Sequence, residues 1–453
     1  MSSNCYCLIP HPSRPAIMNV KQNGKWRLPG LTFSGDWFAL SYAEISRRMF
    51  SQYGLTVTVL RRLQRGTNFM ICELEVQSYS PDVKFEARWY DLEAHQSSGK
   101  AGAQGNEFLD SWFLHAENAK LPGSRPPWES AGWFKQASSW ITKELGKQDI
   151  YKMGEIGQIK SGVLTSVLSI PCNTGKVFFK ASMGDSPSEV AISEELARRW
   201  PTKIMQLLAS DSNRNWMLMP DYGAQGYAEV PEDRHATAAQ SYARLLIESK
   251  DSISTWQQLN CPDFGLEQIH QFSQSFSDRT APFKTGKTTL DDSELDMLVN
   301  YVEEWGSMCP SLAEFEIPDT LVNLDFRLSN IVANNDDFLF FDWHESVISH
   351  PFFCLLNLFD EFTPLDPNDI NFSMLESQQS TAKASIRDAF LEVFGDFESK
   401  ERLLEAFSLA STIQPVVQLK RWLEKLEKVE PDSFWADELT LNLILWARYY
   451  ISK

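Results

Sequence analysis

Thr320-Leu321-Val322-Asn323-Leu324-Asp325-Phe326-Arg327-Leu328-Ser329-Asn330, then Phe338-Leu339-Phe340-Phe341-Asp342-Trp343, is the stretch on which the reading of this chain turns. An apolar run feeds a loop of pattern D-x-x-x-x-N, and a polar turn from Asn334 to Asp337 leads into a second apolar run that ends in a carboxylate. Short apolar runs of this kind, bounded by polar turn residues, predict two strands bracketing a loop. Phosphoryl transfer from a nucleotide calls for an Asp that orients the acceptor hydroxyl and receives its proton. It also calls for an Asn and a second Asp that hold magnesium against the phosphates. A strand–loop–hairpin carries all three on one rim. Asp325 and Asn330 are also ordinary turn residues, and D-x-x-x-x-N taken alone arises often by chance. The strand before it and the strand-borne Asp342 after it set this occurrence apart.

At these residues the chain resembles the aminoglycoside phosphotransferase-like kinases, distant relatives of protein kinases and choline kinases. The resemblance implies Asp325 as the catalytic Asp, and Asn330 and Asp342 as metal ligands. The family usually carries His two residues before its catalytic Asp, where this chain has Asn323; that His is mainly structural. Arg327 stands where protein kinases commonly place a Lys that meets the transferring phosphate, and a guanidinium could do so through two parallel hydrogen bonds. A solvated loop cation is the equal alternative for Arg327.

A nucleotide-binding half is expected upstream. Val163 to Ile170 read as a strand, Asn173-Thr174-Gly175 as a hairpin turn, and Lys176-Val177-Phe178-Phe179-Lys180-Ala181 as the returning strand. By the resemblance, Lys180 grips the nucleotide phosphates and pairs with a helix Glu. The helix is Ser188 to Trp200, with Ile192, Leu196 and Trp200 at helical spacing and Pro201 ending it. Glu189 is the chosen partner and Glu194 the alternate, though a first-turn acid also suits a helix dipole. Asn215 to Gly223 then read as a strand running into a hinge whose backbone, Met219 to Asp221, holds the adenine edge in such kinases. No G-x-G-x-x-G or Walker loop is present, which argues against a dinucleotide-binding or P-loop enzyme.

The first part of the chain reads as a separate small α/β domain. Short strands around Cys7–Ile9, Ala16–Met18, Val57–Leu60 and Phe69–Leu74 flank one helix near Ser41 to Gln52. Trp26-Arg27-Leu28-Pro29-Gly30, this helix and Gly54-Leu55 together resemble the outline of a Nudix hydrolase. Aligning Gly54-Leu55 with that family's closing pair puts Arg48, Ser51 and Gln52 at the places of the metal-binding acids, with only Glu44 nearby. Hydrolysis there would need clustered carboxylates for magnesium, so a Nudix-like scaffold with its hydrolase site absent is expected. A small α/β domain of other ancestry is the alternative.

Glu93 to Gly105 is small and polar, a surface loop by composition. Trp133, Phe134, Ala137, Trp140, Ile141 and Leu145 follow helical spacing and predict an aromatic-striped connector helix that packs between domains. Beyond about Ser380 the segments are amphipathic. Leu419, Trp422, Leu423 and Leu426 share one helical face, which leaves Lys420, Arg421, Glu424 and Lys425 to solvent. Of the 7 His, His350 reads as structural, and His344, just after Asp342, stays open between a metal or base role and packing.

The expected architecture is therefore α+β: a Nudix-like α/β domain over 1–125, a connector helix over 126–150, and a bilobal protein-kinase-like fold. Its sheet lobe covers 151–225 and its helical lobe 226–453. The chemistry implied is transfer of a γ-phosphate from ATP or GTP, with magnesium, to a hydroxyl of a small molecule. A nucleotide-binding pseudokinase and a ligand-sensing interaction protein without catalysis are the alternatives.

Composition fits a large cytoplasmic enzyme of 453 residues, 43% of them hydrophobic. No apolar run reaches the length of a membrane span, and the N-terminus lacks a secretion signal. The 7 scattered Cys, without a Cys-x-x-Cys, point to reduced thiols. A net charge of -18 argues against nucleic acid and anionic membranes and leans toward a cationic acceptor. Nothing in the sequence specifies an oligomeric state.

Overall fold

The alternation of buried and exposed side chains sets the first sheet. In the computed structural model, β1 (Ser2–Leu8) buries Cys5 and Cys7 and turns Tyr6 outward, the period of two that a half-buried strand requires. The structure describes residues 2–34, 40–97 except 67, 81, 83 and 84, 109–113 except 111, 125–183, 188–223, 228–334, 337–355, and 380–452 except 432. The fold is α+β, and the chain divides into two compact units, Met1–Met183 with Val429–Trp435, and Gly184–Lys428 with Ala436–Lys453.

In the first unit, β2 (Ala16–Gln22), β3 (Lys25–Arg27) and β7 (Ala87–Asp91) form a three-stranded antiparallel sheet. A four-stranded sheet runs β4-β1-β6-β5, from β4 (Gly30–Ser34), β5 (Leu55–Arg65) and β6 (Phe69–Tyr79). Between β4 and β5 lies helix α1 (Tyr42–Tyr53). Ser41 caps it by accepting from the Glu44 amide, and Gly54, at φ 66, ends it in the left-handed conformation that suits glycine. Ile45, Met49 and Tyr53 seat α1 on a core shared with Cys5, Cys7 and Cys72. The expected strands and helix are thus present.

The polar run from Glu93 differs from the loop expected there. Leu92–Ser97 is a helix, α2, with the Asp91 carboxylate accepting from the Ala94 amide at 3.0 Å. Residues 98–105 of that run lie outside the described residues.

Helix α3 (Trp133–Gly146) buries Trp133, Ala137, Ile141 and Leu145, the predicted stripe. Trp133 and Trp140 meet Phe179 with ring centroids 6.0 and 5.8 Å apart, so the stripe packs on its own unit's sheet. That sheet holds β8 (Gly157–Ser161), β9 (Thr165–Cys172) and β10 (Gly175–Ser182), all antiparallel. Gly175 at φ 110 closes the β9–β10 hairpin. Gln158 of β8 exchanges hydrogen bonds with the Val59 backbone, and the Tyr42 hydroxyl donates to the Ser161 carbonyl at 2.6 Å. These bonds join the N-terminal sheet to the β8–β10 sheet within one unit.

In the second unit, α4 (Glu189–Arg199) is capped by Ser188 and followed by paired strands β11 (Ala209–Asp211) and β12 (Trp216–Pro220). After β13 (Ala228–Glu229) come α5 (His235–Ser249), β14 (Asp263–Phe264) and α6 (Asp292–Gly306), the last opened by an Asp291/Glu294 capping box. Two small sheets follow from the decisive stretch. One orders β14-β18-β15 and the other β13-β16-β17, with β15 (Thr320–Asn323), β16 (Ile331–Asn334), β17 (Asp337–Phe340) and β18 (Ser346–Ser349). Helices α7 (Ser380–Glu392), α8 (Lys400–Glu427) and α9 (Phe434–Ile451) complete the helical C-terminal part expected from Ser380 onward. One continuous apolar core runs from Ile192 through Tyr242, Phe326 and Phe340 to Trp446. No helix among the described residues is long and apolar enough to cross a membrane.

Candidate active site

The loop between β15 and β16 is held from below. Phe326 is buried and stacks on Tyr242 of α5, with centroids 3.7 Å apart and planes within 8°. Such stacking adds roughly 0.5–1.5 kcal/mol to simple burial. With Phe326 pointing inward, its neighbours Asp325 and Arg327 face outward, which is why a Phe sits between two charges here. The Tyr242 hydroxyl also accepts from the Asn323 amide at 3.2 Å, so one side chain anchors both ends of the turn.

Asn323 uses both polar atoms of its side-chain amide. Its Oδ1 accepts from the Asp325 amide at 2.9 Å, and its Nδ2 donates to the Asp342 carbonyl at 2.8 Å. One buried side-chain amide thus links the backbone of both key acids. Asn330 adds a second tie, its Nδ2 donating to the Asp325 carbonyl at 3.0 Å, while the Phe341 amide donates to the Asn330 carbonyl at 3.2 Å. Asp342 follows β17 at φ 64, a left-handed backbone that Asp tolerates better than most residues and that turns its carboxylate off the strand line.

The side chains then converge. Arg327 Nε donates to Asp325 Oδ1 at 2.9 Å, and Arg327 itself is 46% exposed. Glu189, only 1% exposed at the first turn of α4, offers a carboxylate oxygen within 4.8 Å of ligand atoms from Asp342 and His344. Glu194, the alternate, is exposed and accepts from Ser210 and Ser212 instead. His344 Nδ1 meets Asp342 Oδ1 at 2.6 Å, and its Nε2 meets Glu345 Oε1 at 3.1 Å. Burial alone would lower the imidazole's pKa, but the Asp342 and Glu345 carboxylates outweigh it and push it up to about 9. Burial likewise opposes ionisation of Glu345, yet Arg421 and Lys425 hold its carboxyl well below the usual range.

Of the other predicted residues, Lys180 is buried on β10 in the first unit. Met219 is buried on β12, and Asp221 sits just beyond that strand, its carboxylate accepting from the Gly223 amide at 3.1 Å. His350 is structural as expected: its Nδ1 accepts from the Phe352 amide, and its ring packs on Phe352 and Phe353.

Two expectations fail on helix α8. Arg421 and Lys425, assigned to solvent, both reach Glu345. Arg421 is buried and also contacts Asp325 at 3.3 Å. Leu419 and Leu423 do occupy the buried face, but the residues flanking it are close enough to the core to be drawn in by a buried carboxylate. Lys420 is also half-covered, 3.8 Å over the Phe264 ring. An amphipathic pattern signals a polar flank; it carries no sign that an acid far away in sequence will meet that flank.

The oxygen set suits a hard cation. Asn330 spends its amide nitrogen on the Asp325 carbonyl, so its oxygen is the atom left for a ligand, and Asp342 and Glu189 bring two carboxylates whose oxygens lie within 4.8 Å of each other.

No family model matches the sequence, and no curated protein matches it either. Solved structures similar to the chain include a macrolide 2'-phosphotransferase type I, at 11% identity and a TM-score of 0.44, with 68% of this chain and 97% of that one covered. The GDP and kanamycin complex of APH(2")-IIia matches at 15% identity and 0.45, covering 70% and 99%. An ethanolamine kinase from Plasmodium vivax matches at 14% and 0.43, covering 65% and 81%.

Proposed function

We propose that this chain is a magnesium-dependent phosphotransferase that moves the γ-phosphate of ATP or GTP to a hydroxyl of a small molecule. The observation that supports it most is the Asn323 amide, which ties the backbone of Asp325 to that of Asp342. That tie gives the two acids the fixed separation that in-line transfer needs. Asp325 takes the acceptor's proton as its oxygen bonds to the γ-phosphorus; the bond from that phosphorus to the β–γ bridging oxygen breaks, and the nucleoside diphosphate leaves. Asn330 and Asp342 hold the metal, which neutralises phosphate charge when bound. Arg327 contacts the transferring phosphate. Lys180 is the cation assigned to the nucleotide phosphates, Glu189 the carboxylate assigned to it, and the backbone from Met219 to Asp221 meets the base.

In this reading residues 151–225 and 226–453 are the two lobes of a kinase-like fold, 126–150 connect, and 1–125 are a Nudix-like scaffold without hydrolase chemistry. The acceptor is a hydroxyl-bearing small molecule, with a cationic one favoured by the net charge of -18. A screen of metabolites for magnesium-dependent ATP consumption tests this, and turnover only with anionic compounds would remove the cationic preference. Replacing Asp325 with Ala should cost about a thousandfold or more in turnover while nucleotide still binds. Turnover that survived in Asp325→Ala would overturn the assignment.

The second reading, a nucleotide-binding protein without catalysis, draws on the His344 imidazole seated on Asp342. Magnesium-dependent nucleotide binding with no turnover on any acceptor would favour it.

A further inference from the structure

Helix α8 inserts one guanidinium into the centre of the catalytic loop. Arg421 is 9% exposed, and every nitrogen of its fork is used. Nε donates to Glu345 Oε2, Nη1 to the Leu324 carbonyl at 3.2 Å and to Gln418 Oε1 at 2.8 Å, and Nη2 to Asp325 Oδ1 at 3.3 Å. Glu345 in turn accepts from Lys425 at 2.5 Å and meets His344 at 3.1 Å, and His344 meets Asp342 at 2.6 Å. Asp325, Arg421, Glu345, His344 and Asp342 therefore form an unbroken chain of side-chain contacts from one end of the site to the other.

We infer that Arg421 is a positioning residue for the phosphoryl transfer proposed above, holding Asp325 and, through Glu345 and His344, Asp342 in a single geometry. The inference rests on that phosphotransferase reading. Neutralising Glu345 does not by itself require Arg421, because Lys425 already lies on the same carboxylate. What needs a planar fork is the simultaneous hold on Glu345, on the Leu324 carbonyl and on Asp325, which a single ammonium cannot span. Arg421 and Arg327 both donate to Oδ1 of Asp325, so Oδ2 is the oxygen left to receive the acceptor proton. Arg327 is too exposed to fix that orientation, since an exposed ion pair contributes little. A buried, multiply bonded guanidinium fixes it.

The test compares wild type, Arg421→Met, Arg421→Lys and the double variant Arg421→Met/Glu345→Gln. Magnesium–ATP affinity, turnover and thermal midpoint are measured on each full-length protein. Arg421→Met should lower kcat about 30-fold to 100-fold with ATP affinity within about twofold of wild type, the signature of lost orientation. Arg421→Lys should recover little of it. In Arg421→Met the Glu345 carboxylate keeps Lys425 and His344, whereas Glu345→Gln leaves Lys425 without its carboxylate, so the double variant's thermal midpoint should fall at or below that of Arg421→Met while kcat stays low. If the double variant regained kcat within about threefold of wild type, Arg421 would serve only to neutralise Glu345 and the inference would be wrong. Should Arg421→Met fail to fold, the double variant and Arg421→Lys decide alone. Hydrogen exchange at the amides from Leu324 to Asn330 gives an answer independent of turnover. Faster exchange in the double variant supports positioning, and unchanged exchange overturns it. A wild type that bound nucleotide yet never turned over would count against the phosphotransferase reading instead.

Discussion

Two regions of this protein present acids on a helix or loop, and the partners of those acids reach them in different ways. On α1, Glu44 is met by Arg47 three residues on and Arg48 four residues on, at 2.6 Å each. Hydrogen bonds from those two guanidinium groups hold its carboxyl down at about 2. The acid is satisfied by its own helix, near the surface. Around Asp325 and Asp342, near neighbours (Asn323, Arg327 and His344) are joined by partners 19 and 96 positions away, Asn323 on the Asp342 carbonyl and the buried Arg421 on Asp325. An acid whose charge is answered within its own helical turn has nothing left for a ligand. Acids held by tertiary packing depend instead on partners that the fold brings from far along the chain.

The largest expected effect would break this contrast outright if it failed. Asp342→Asn should lower turnover by about a thousandfold, whereas Glu44→Gln should leave it within about twofold. Equal losses in the two variants, measured as ATP consumption under saturating magnesium, would mean that α1 takes part in the chemistry.

A smaller effect sharpens the account of how the second region is held. Asn323→Ala leaves the Asp325 amide and the Asp342 carbonyl without their side-chain partner, at a cost of about 1–3 kcal/mol in stability, and should lower kcat about 10-fold to 100-fold. Asn323→His, which restores donor and acceptor atoms on a larger ring, should keep most of the activity. If Ala and His behaved alike, the amide tie would have no part in setting the site, and denaturant unfolding beside kinetics would show it.

The smallest effect separates the two units by pH. In the first unit, Glu129 is buried beneath the Trp435 indole, and burial raises its pKa to about 7 against 4.5. A raised carboxyl contributes stability below pH 4.5 that is lost as pH climbs to about 7, at most roughly 3 kcal/mol. In the second unit, burial lowers the pKa of His350 to about 3 against 6.5. That imidazole contributes stability above pH 6.5 which is lost as pH falls toward 3. Denaturant midpoints at pH 5 and pH 7.5 should differ less in Glu129→Gln than in wild type. A pH difference unaltered by that substitution would sink the assignment of the alkaline-side loss to Glu129.

Much of the site was legible in residue order alone. The strand–loop–hairpin from Thr320 to Asp342 could be read directly because its strands are short continuous apolar runs and its turn residues are polar, both of which are local effects. The caps at Ser41 and Ser188, the turn at Gly175 and the stripe on α3 were readable for the same reason. The short helix at Leu92–Ser97 was missed, since small polar residues carry no periodic apolar face. Only tertiary structure decided that the Asn323 amide would link the backbones of Asp325 and Asp342. It alone buried Glu189 and left Glu194 exposed. It alone drew Arg421 and Lys425 off the solvent face of α8 onto Glu345, some 80 residues back in the chain. Local pattern records which residues prefer water; which charge a buried guanidinium finally meets depends on long-range packing, and no local pattern contains it.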